Sequence, residues 1–225
     1  MNKNNNNTPQ MRFKEFKNTG EWQEKYLWQV TIWDKKFKGV DPKKQENTIK
    51  YYYYLADELK KLIREKGTVK ILTTNKTNFF TNEEEVKYTL TEGEIICIPW
   101  GGNPIIQYYK GKFITSDNRI ATSKDINILN NKFLYYTLIN QLKLISSFYR
   151  GIGIKHPNMS QVIDMNILLP SIPEQQKIAE VLSTADELID AERRKLEALK
   201  KYKKGLMQKL FPRDGEKVPE MRFPE

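Results

Sequence analysis

Three short segments of the sequence combine hydrogen-bonding side chains with features that allow close contact with a ligand. The first, TTNKTN, follows a β-rich run, and the other two, PWGGNP and RGIGIKHPNMS, each contain two glycines. Glycine lets the backbone approach a groove or a phosphate closely, and side chains of these types read the edges of nucleic-acid bases. The alternative is that each segment is an ordinary solvated loop. The candidate binding residues are Thr73, Thr74, Asn75, Lys76, Asn78, Trp100, Gly101, Gly102, Asn103, Arg150, Lys155, His156, Asn158 and Ser160.

The sequence offers little for catalysis or metal binding. His156 and Cys97 are the only residues of their kinds, so they cannot form a cluster of metal ligands. Gly111-Lys112 lacks the earlier glycine of a Walker A loop. Asn103-Pro104 is followed by Ile105, where an adenine methyltransferase would have a second proline. We therefore predict no catalytic residue, no metal site and no cofactor in this chain. A small nuclease with scattered carboxylates is the enzymatic alternative.

The charge is unevenly distributed along the chain. The net charge is +10, and residues 1–171 carry 26 Lys and Arg against 17 Asp and Glu. Residues 172–225 carry 12 against 11. A basic first part indicates a polyanionic partner such as DNA or RNA. The single cysteine and the absence of an apolar leader favour a cytoplasmic protein.

The pattern of apolar residues predicts an α+β fold followed by one long helix. Residues 21–34 predict a helical turn and then a strand, and residues 48–66 and 131–150 have helical spacing. Strands are expected at 68–74, 86–91, 94–100, 112–116 and 162–170. The predicted domains are a disordered leader (1–8), a globular domain (9–171), a long helix (172–212) and a tail (213–225).

From Pro173 to Leu210 the sequence favours a coiled-coil helix. Apolar residues recur in alternating steps of four and three, which is the spacing of a seam between two helices. About 38 residues at 1.5 Å each make a helix of roughly 57 Å, so a second molecule is the expected partner. The alternative is a helix that lies on its own domain. The predicted interface residues are Ile178, Leu182, Ala185, Ile189, Glu192, Leu196, Leu199, Lys203, Leu206 and Leu210.

Two charged residues in this seam predict the orientation of a symmetric pair. In a parallel pair, Glu192 and Lys203 would each face an identical charge, which is unfavourable. In an antiparallel pair whose residue numbers add to 395, Glu192 faces Lys203 of the second copy, and every other layer is apolar. We therefore predict an antiparallel homodimer with a two-fold axis.

Several segments resemble the specificity (S) subunits of type I restriction–modification systems. The segment LPSIPEQQKIA, followed by LEALKKYKKGLMQKLF, is similar to their conserved helical region. MRFKEF with GEWQEKYLWQV resembles their opening, and GKFITSDN, KFLYYTL and GIGIKHPNMS resemble segments of their target recognition domains. The resemblance covers nearly the whole chain.

The resemblance implies a non-catalytic subunit that recognises double-stranded DNA. It implies partner methyltransferase (M) subunits, which use S-adenosylmethionine, and restriction (R) subunits, which use ATP and Mg²⁺. Full-length members carry two recognition domains, whereas this sequence has one and then repeats PxMRF at an offset of 210 residues. We therefore expect a half-length subunit that reads an inverted repeat as a homodimer, or a truncated longer chain. A coiled-coil scaffold whose basic part binds RNA or protein is the alternative function.

Other features have a structural interpretation. Cys97 is expected to be a buried core thiol, and Trp22, Trp28 and Trp33 are expected to pack in the core. The YYYY run at 51–54 is expected to point one or two rings inward from a helix. The KKYKK run at 200–204 is a solvated helix face that is also suited to phosphates or to the acidic surface of a methyltransferase.

Overall fold

A computed structural model describes residues 8–88 and 90–223, which form two compact units. The first unit ends at Ala179 and the second begins at Glu180. All but the last residue of the predicted leader lies outside the described residues, and the predicted domain boundaries stay a prediction. Within the described part of the chain, none of the helices has the length and apolar character needed to cross a membrane.

A mixed six-stranded sheet forms the centre of the first unit. Its strand order is β2-β7-β5-β6-β3-β4, and every neighbouring pair is antiparallel except β3 with β6. The strands are β2 (Thr31–Trp33), β3 (Val69–Leu72), β4 (Phe79–Thr81), β5 (Thr91–Pro99), β6 (Gln107–Thr115) and β7 (Asn118–Ser123). Two small antiparallel pairs join β1 (Gln23–Tyr26) to β10 (Asn166–Leu169) and β8 (Tyr149–Arg150) to β9 (His156–Pro157). The strands expected at 68–74, 94–100 and 112–116 are present in β3, β5 and β6.

The sheet is curled, so that both ends of β6 approach the end of β3. In the parallel pairing, Leu72 lies beside Thr115, the last residue of β6. The side chain of Gln107, the first residue of β6, nevertheless donates a hydrogen bond to Thr73 O at 2.8 Å. The Asn118 side chain, which opens β7, donates to Leu72 O at 3.2 Å. The ends of β3 and β6 and the start of β7 therefore lie together.

In the described part of the chain, six α-helices accompany the sheets, and the longest follows the predicted pattern. They are α1 (Leu27–Val30), α2 (Ala56–Leu62), α3 (Asn131–Asn140), α4 (Leu142–Ser147), α5 (Met159–Ile163) and α6 (Ile172–Leu210). The long helix was expected from Pro173 to Leu210 and forms there. The helical turn and strand expected within 21–34 are α1 and β2.

The tyrosine run differs from the prediction because it is extended rather than helical. Helix α2 begins only at Ala56, and Tyr53 forms a bridge with Thr115 at the edge of β6. Extended residues point alternately to two sides. The Tyr51 and Tyr53 rings accordingly contact each other in a tilted arrangement, whereas Tyr52 stacks on Tyr88 and Tyr54 meets Tyr88 edge-to-face. Pairing with the sheet has therefore overridden the helical spacing of this segment.

Three other elements depart from the predicted boundaries. The helix expected over 131–150 breaks at Gln141, although Leu138 and Ile145 on either side are both fully buried. In the strand expected at 162–170, the first two residues end α5, and the strand itself is β10. In the strand expected at 86–91, only Thr91 belongs to β5.

The second half of strand β5, residues 95–99, is buried on both faces. Ile96 and Ile98 belong to the largest core cluster, together with residues of α3 and α5, whereas Ile95 and Cys97 belong to a second cluster. Neighbouring residues of a strand point to opposite faces, so core packs on each side of β5. Cys97 is completely buried, as predicted, and burial raises the pKa of its thiol. Trp33 is also buried, and Trp22 and Trp28 pack against the same core, as predicted.

The start of α6 is held to the rest of the first unit by buried polar groups. Both carboxylate oxygens of Glu174 accept hydrogen bonds from the Arg12 guanidinium, at 2.7 and 2.6 Å. The fully buried side chain of Gln175 accepts from Asn130 N and donates to Ile128 O and Pro170 O, each at 2.9 Å. The motif PEQQ therefore has a structural role here.

Two glycines should respond in opposite ways to replacement by alanine. A Cβ added to Gly67 would lie 2.3 Å from Thr81 O, so Gly67→Ala forces two backbones apart. We expect a loss of about 1–3 kcal/mol in the free energy of unfolding, as for other overpacked sites. A Cβ on Gly205 in α6 meets nothing within 4 Å. Gly205→Ala should therefore stabilise the helix by about 0.5–1 kcal/mol.

Chemical denaturation followed by far-ultraviolet circular dichroism measures both effects. Gly205→Ala serves as the control, because it makes the same chemical change without the backbone contact. A Gly67→Ala variant as stable as the wild type would contradict the close approach at Thr81.

Candidate nucleic-acid interface

Two of the three predicted binding loops contact each other directly. Gly102 N donates to Lys155 O at 3.0 Å, and His156 Nδ1 lies 2.6 Å from Trp100 O. The buried Tyr149 hydroxyl donates to Pro99 O at 2.8 Å, which joins the strands from which the loops begin. The PWGGNP loop and the RGIGIKHPNMS loop therefore form one surface.

The TTNKTN loop leaves the sheet beside this surface. It follows Leu72 of β3, whose carbonyl accepts from Asn118, and Asn118 lies opposite Pro99 in the pairing of β7 with β5. Trp100 N in turn donates to Asp117 O at 2.7 Å. The strand ends that carry the first and second loops are therefore neighbours. Leu72 and Pro99 lie far apart along the chain, and strand pairing within the sheet brings them together.

Most of the candidate residues are exposed, and several also stabilise their own loops. Thr73 Oγ1 donates to Asn75 O at 2.8 Å, and Asn158 Oδ1 accepts from Gln161 N at the start of α5. Arg150 Nη1 donates to backbone carbonyls of Ser147 and Tyr149. The exposed candidates are Asn75, Lys76, Asn78, Gly102, Asn103, Arg150, Lys155, His156 and Asn158, and the half-buried ones are Thr73, Thr74, Trp100, Gly101 and Ser160.

The glycines of the second and third loops have backbone conformations that other residues rarely adopt. Gly102, Gly151 and Gly153 have φ angles of 92°, 135° and 80°. A Cβ on Gly151 would also lie 2.9 Å from Ile154 O, and one on Gly101 would lie 3.1 Å from the Ile154 side chain. These glycines therefore allow the tight turn between β8 and β9 and its contact with the second loop.

Trp100 lies at the centre of the surface, among cationic groups. The Lys35 ammonium is 5.3 Å from the centre of the indole ring, and the Arg119 guanidinium carbon is 4.9 Å from it. The His156 ring centre is 5.4 Å away. Cations over an aromatic face interact favourably with its quadrupole. The indole thus keeps positive charge close to the three loops.

Sequence reasoning missed the residues beneath Trp100. Arg119 of β7 forms an ion pair with Asp34 at 2.6 Å, and both side chains are almost fully buried. Asp34 also accepts a hydrogen bond from the Tyr53 hydroxyl at 2.6 Å. An isolated buried charge is costly, but the strand NRIATS contains other polar residues, so Arg119 gives no clear sequence signal for such a pair. The exposed residues Lys35, Lys36 and Lys38 after β2 add basic charge and were not among the predicted binding residues.

The tyrosine hydroxyls in this region are protonated at neutral pH. Burial, followed by the hydrogen bond to Asp34, raises the pKa of Tyr53 to about 12. Burial and the charge of Asp34 likewise raise the pKa of Tyr51. Tyr51 therefore donates to Tyr53 at 2.6 Å, and Tyr53 donates to the carboxylate.

The second unit presents the predicted seam of α6. Leu182, Ile189, Leu196 and Leu199 are 40%, 47%, 52% and 55% exposed. Ala185, Glu192 and Lys203 are exposed as well, whereas Leu206 and Leu210 are half-buried. In the first unit, Ile178 packs against the core, so the open part of the seam begins at Leu182.

Neither the loops nor the rest of the described chain brings together three His, Cys, Asp or Glu side chains that could hold a metal ion. The groups that the loops present are amides, hydroxyls, ammonium groups and backbone N–H groups. These groups suit hydrogen bonding to bases and phosphates.

Comparison with known proteins identifies the family. Residues 57–201, more than half of the chain, match the family model "Type I restriction modification DNA specificity domain". The chain is 29% identical over 162 residues to the type I restriction enzyme MjaVIII specificity subunit of Methanocaldococcus jannaschii. It is 28% identical over 149 residues to the EcoDI specificity subunit of Escherichia coli. These matches cover 72% and 64% of the chain but 35% and 33% of the relatives, so the chain spans about a third of their length.

Solved structures show the same fold. The S subunit of a type I restriction–modification system from M. genitalium aligns with a TM-score of 0.64 at 20% identity. That alignment covers 91% of this chain and 48% of the other. A second solved structure, which concerns complex assembly and conformational transition of the type I R-M system, contains a chain that aligns with a TM-score of 0.50 at 13% identity. That alignment covers 82% of this chain and 43% of the other.

The predicted α+β class with a long C-terminal helix is confirmed by these structures. The expected class of protein, a specificity subunit rather than an enzyme, is confirmed by the family model and by the names of the relatives. The chain belongs to the type I restriction modification DNA specificity domain family.

Proposed function

We propose that this chain recognises a specific sequence in double-stranded DNA through the surface around Trp100. The observation that carries the proposal is that two loops contact each other and a third leaves the sheet beside them, so that amides, hydroxyls and lysines lie together. Asn and Lys side chains discriminate bases in the major groove, and Lys also binds phosphates. The excess of basic residues in 1–171 supports a polyanionic partner.

We further propose that two copies of the chain associate through antiparallel α6 helices. Four large apolar seam residues of the second unit are 40–55% exposed, which is unfavourable unless another surface covers them. In the register with residue numbers adding to 395, Leu196 faces Leu199, Ile189 faces Leu206 and Ala185 faces Leu210. Among the described residues, Glu192 has only an exposed contact with Lys195 at 3.9 Å, and such surface pairs are weak. It is therefore available for Lys203 of the second copy.

An antiparallel pair implies a bipartite target. Its two recognition units are related by a two-fold axis, so each reads the same half-site, one on each strand. Together they read an interrupted inverted repeat. A helix of roughly 57 Å limits the separation of the half-sites to about 17 base pairs.

The biological role we propose is to direct partner subunits to that target in the cytoplasm of a bacterium or archaeon. Methyltransferase (M) subunits would supply adenine methylation with S-adenosylmethionine, and restriction (R) subunits would supply ATP- and Mg²⁺-dependent cleavage. The exposed seam and the basic run at 200–204 are the surfaces of the second unit suited to assembly. A scaffold whose basic unit binds RNA or protein remains the competing function, and selection of a DNA motif separates the two.

Reversing one seam charge should weaken the dimer, and reversing both should restore it. Glu192→Lys places like charges at two symmetric layers and should raise the dimer dissociation constant by about tenfold. Adding Lys203→Glu re-creates opposite charges and should return the constant to the wild-type value. Sedimentation equilibrium of the full chain measures all three proteins.

Glu187→Lys is the matched control, because residue 187 lies on the side of the helix away from the seam. It should leave the constant unchanged. A double variant that stays as weak as Glu192→Lys contradicts the register, and a wild-type chain that is monomeric at micromolar concentration contradicts the homodimer.

Random duplex DNA selected by the chain, alone and with its methyltransferase subunit, should yield an interrupted palindrome. Lys76→Glu with Lys155→Glu should abolish enrichment. If each of the two lysines contacts a phosphate, the slope of log K against log[salt] should be shallower by about 2 in the double variant. Lys14→Glu with Lys17→Glu makes the same change in net charge at exposed positions outside the three loops, and it should leave the motif intact.

The other outcomes also discriminate. An interrupted but asymmetric motif contradicts the homodimer and points to association with a different specificity chain. Failure of the wild-type chain to enrich any motif contradicts DNA recognition and leaves the scaffold function.

A further inference from the structure

The side chains beneath Trp100 form a buried polar network that the three loops do not themselves contain. Asp34 Oδ2 accepts hydrogen bonds from Arg119 Nη1 and from the Tyr53 hydroxyl, each at 2.6 Å. Asp34 Oδ1 accepts from Ile120 N at 3.1 Å, so both carboxylate oxygens are bound. The Asp34 side chain is 0% exposed and the Arg119 side chain 5% exposed, and DNA cannot reach either one directly.

Aromatic rings orient the guanidinium of Arg119. Its central carbon lies 5.3 Å from the centre of the Tyr53 ring and 4.9 Å from the centre of the Trp100 indole. Arg119 Nε is buried and has no hydrogen-bond partner among the described residues. The ion pair with Asp34 and the two rings, rather than a full set of hydrogen bonds, therefore hold the planar group in place.

Trp100 links this network to two binding loops. Its indole rests on Arg119, its backbone N–H donates to Asp117 O, and its backbone carbonyl contacts the His156 ring. Gly101, Gly102 and Asn103 follow it directly, and Gly102 N is bound to Lys155 O. A shift of Trp100 that changes the tilt of its indole would therefore move the backbone groups that join both loops.

The network costs stability that an apolar pair would not. Burying two charges requires desolvation that their attraction only partly offsets, and well-packed apolar residues of similar volume are often at least as stable. A planar guanidinium that is held by an ion pair keeps the ring stacked on it in a single orientation. The location of the network, under the loops, indicates that this orientation is used.

We propose that Asp34 and Arg119 are positioning residues for DNA recognition: they hold Trp100 and the two loops joined to it in the arrangement that selects the target sequence. This inference rests on the proposed function. Asp34 and Arg119 do not touch DNA in this proposal. They affect which sequence is bound and have little effect on the affinity for DNA of random sequence.

Arg119→Lys tests the inference because it keeps a positive charge beside Asp34 but removes the planar group under the indole. We expect the affinity for the selected motif to fall by about tenfold, the size of one lost base contact, or the motif to lose definition. Affinity for random-sequence duplex should stay within about twofold of the wild type, since phosphate contacts are unchanged. Both constants are measured by fluorescence anisotropy with the full chain.

Arg12→Lys is the matched control. Arg12 is also a buried arginine, 6% exposed, paired with a carboxylate that is 1% exposed. It is bound at the start of α6 and not to the loops, so its replacement should leave the motif unchanged even where it lowers the melting temperature. If Arg119→Lys does not fold, Tyr53→Phe keeps the ring on the guanidinium and removes the hydroxyl that donates to Asp34 and accepts from Arg119 and Tyr51. It should lower specific affinity several-fold, less than the loss of one base contact, with random-sequence affinity again unchanged.

The outcomes separate this inference from the proposed function. The positioning role is overturned if Arg119→Lys, or Tyr53→Phe in its place, binds the wild-type motif with unchanged affinity and definition. DNA recognition would still stand in that case. Equal losses of specific and random-sequence affinity also overturn it, because they indicate a general loss of DNA binding. A wild-type chain that selects no motif overturns the proposed function and this inference together.

Discussion

The first unit depends on strand β5. Both edges of this strand are paired, and side chains on both of its faces are buried. One part of the strand pairs with β6, and its end also pairs with β7, while core clusters cover the alternate side chains. Because β6 and β7 are joined by only two residues, the sheet must curl to let both pair with β5. That curl brings the ends of β3 and β5 and the start of β7 to one place. The first two candidate binding loops leave the sheet there, and the third loop contacts the second.

Buried charge occurs at two places that matter for organisation. Arg12 and Glu174 hold the start of α6 against the first unit, and Asp34 and Arg119 lie under Trp100. Each pair joins residues far apart in sequence, so each requires the correct tertiary arrangement before its desolvation is offset. The remaining basic residues are mostly exposed, where positive charge favours a polyanion. The molecule thus uses buried pairs for position and exposed lysines for attraction.

The two units divide the proposed work between recognition and assembly. The first buries its apolar residues in core clusters of its own and presents polar loops, whereas the second presents apolar residues that it does not cover itself. Membership of a family described by DNA specificity agrees with the first role. The order of charges along the seam gives the second role a defined register. In this proposal, two-fold symmetry connects recognition with assembly. An antiparallel pair contains two copies of the recognition surface, which together read a palindromic target.

The sequence by itself determined the long helix, the family, the α+β class and the positions of the polar loops. These features depend on local spacing, on glycine conformation or on short motifs, which need no knowledge of distant contacts. Only the tertiary structure decided that the tyrosine run is extended, that the loops around Trp100 meet and that Asp34 faces Arg119. The physical reason is that strand pairing and buried ion pairs join residues such as 34 and 119, which are 85 positions apart. No local pattern records which partner a strand or a buried charge will find.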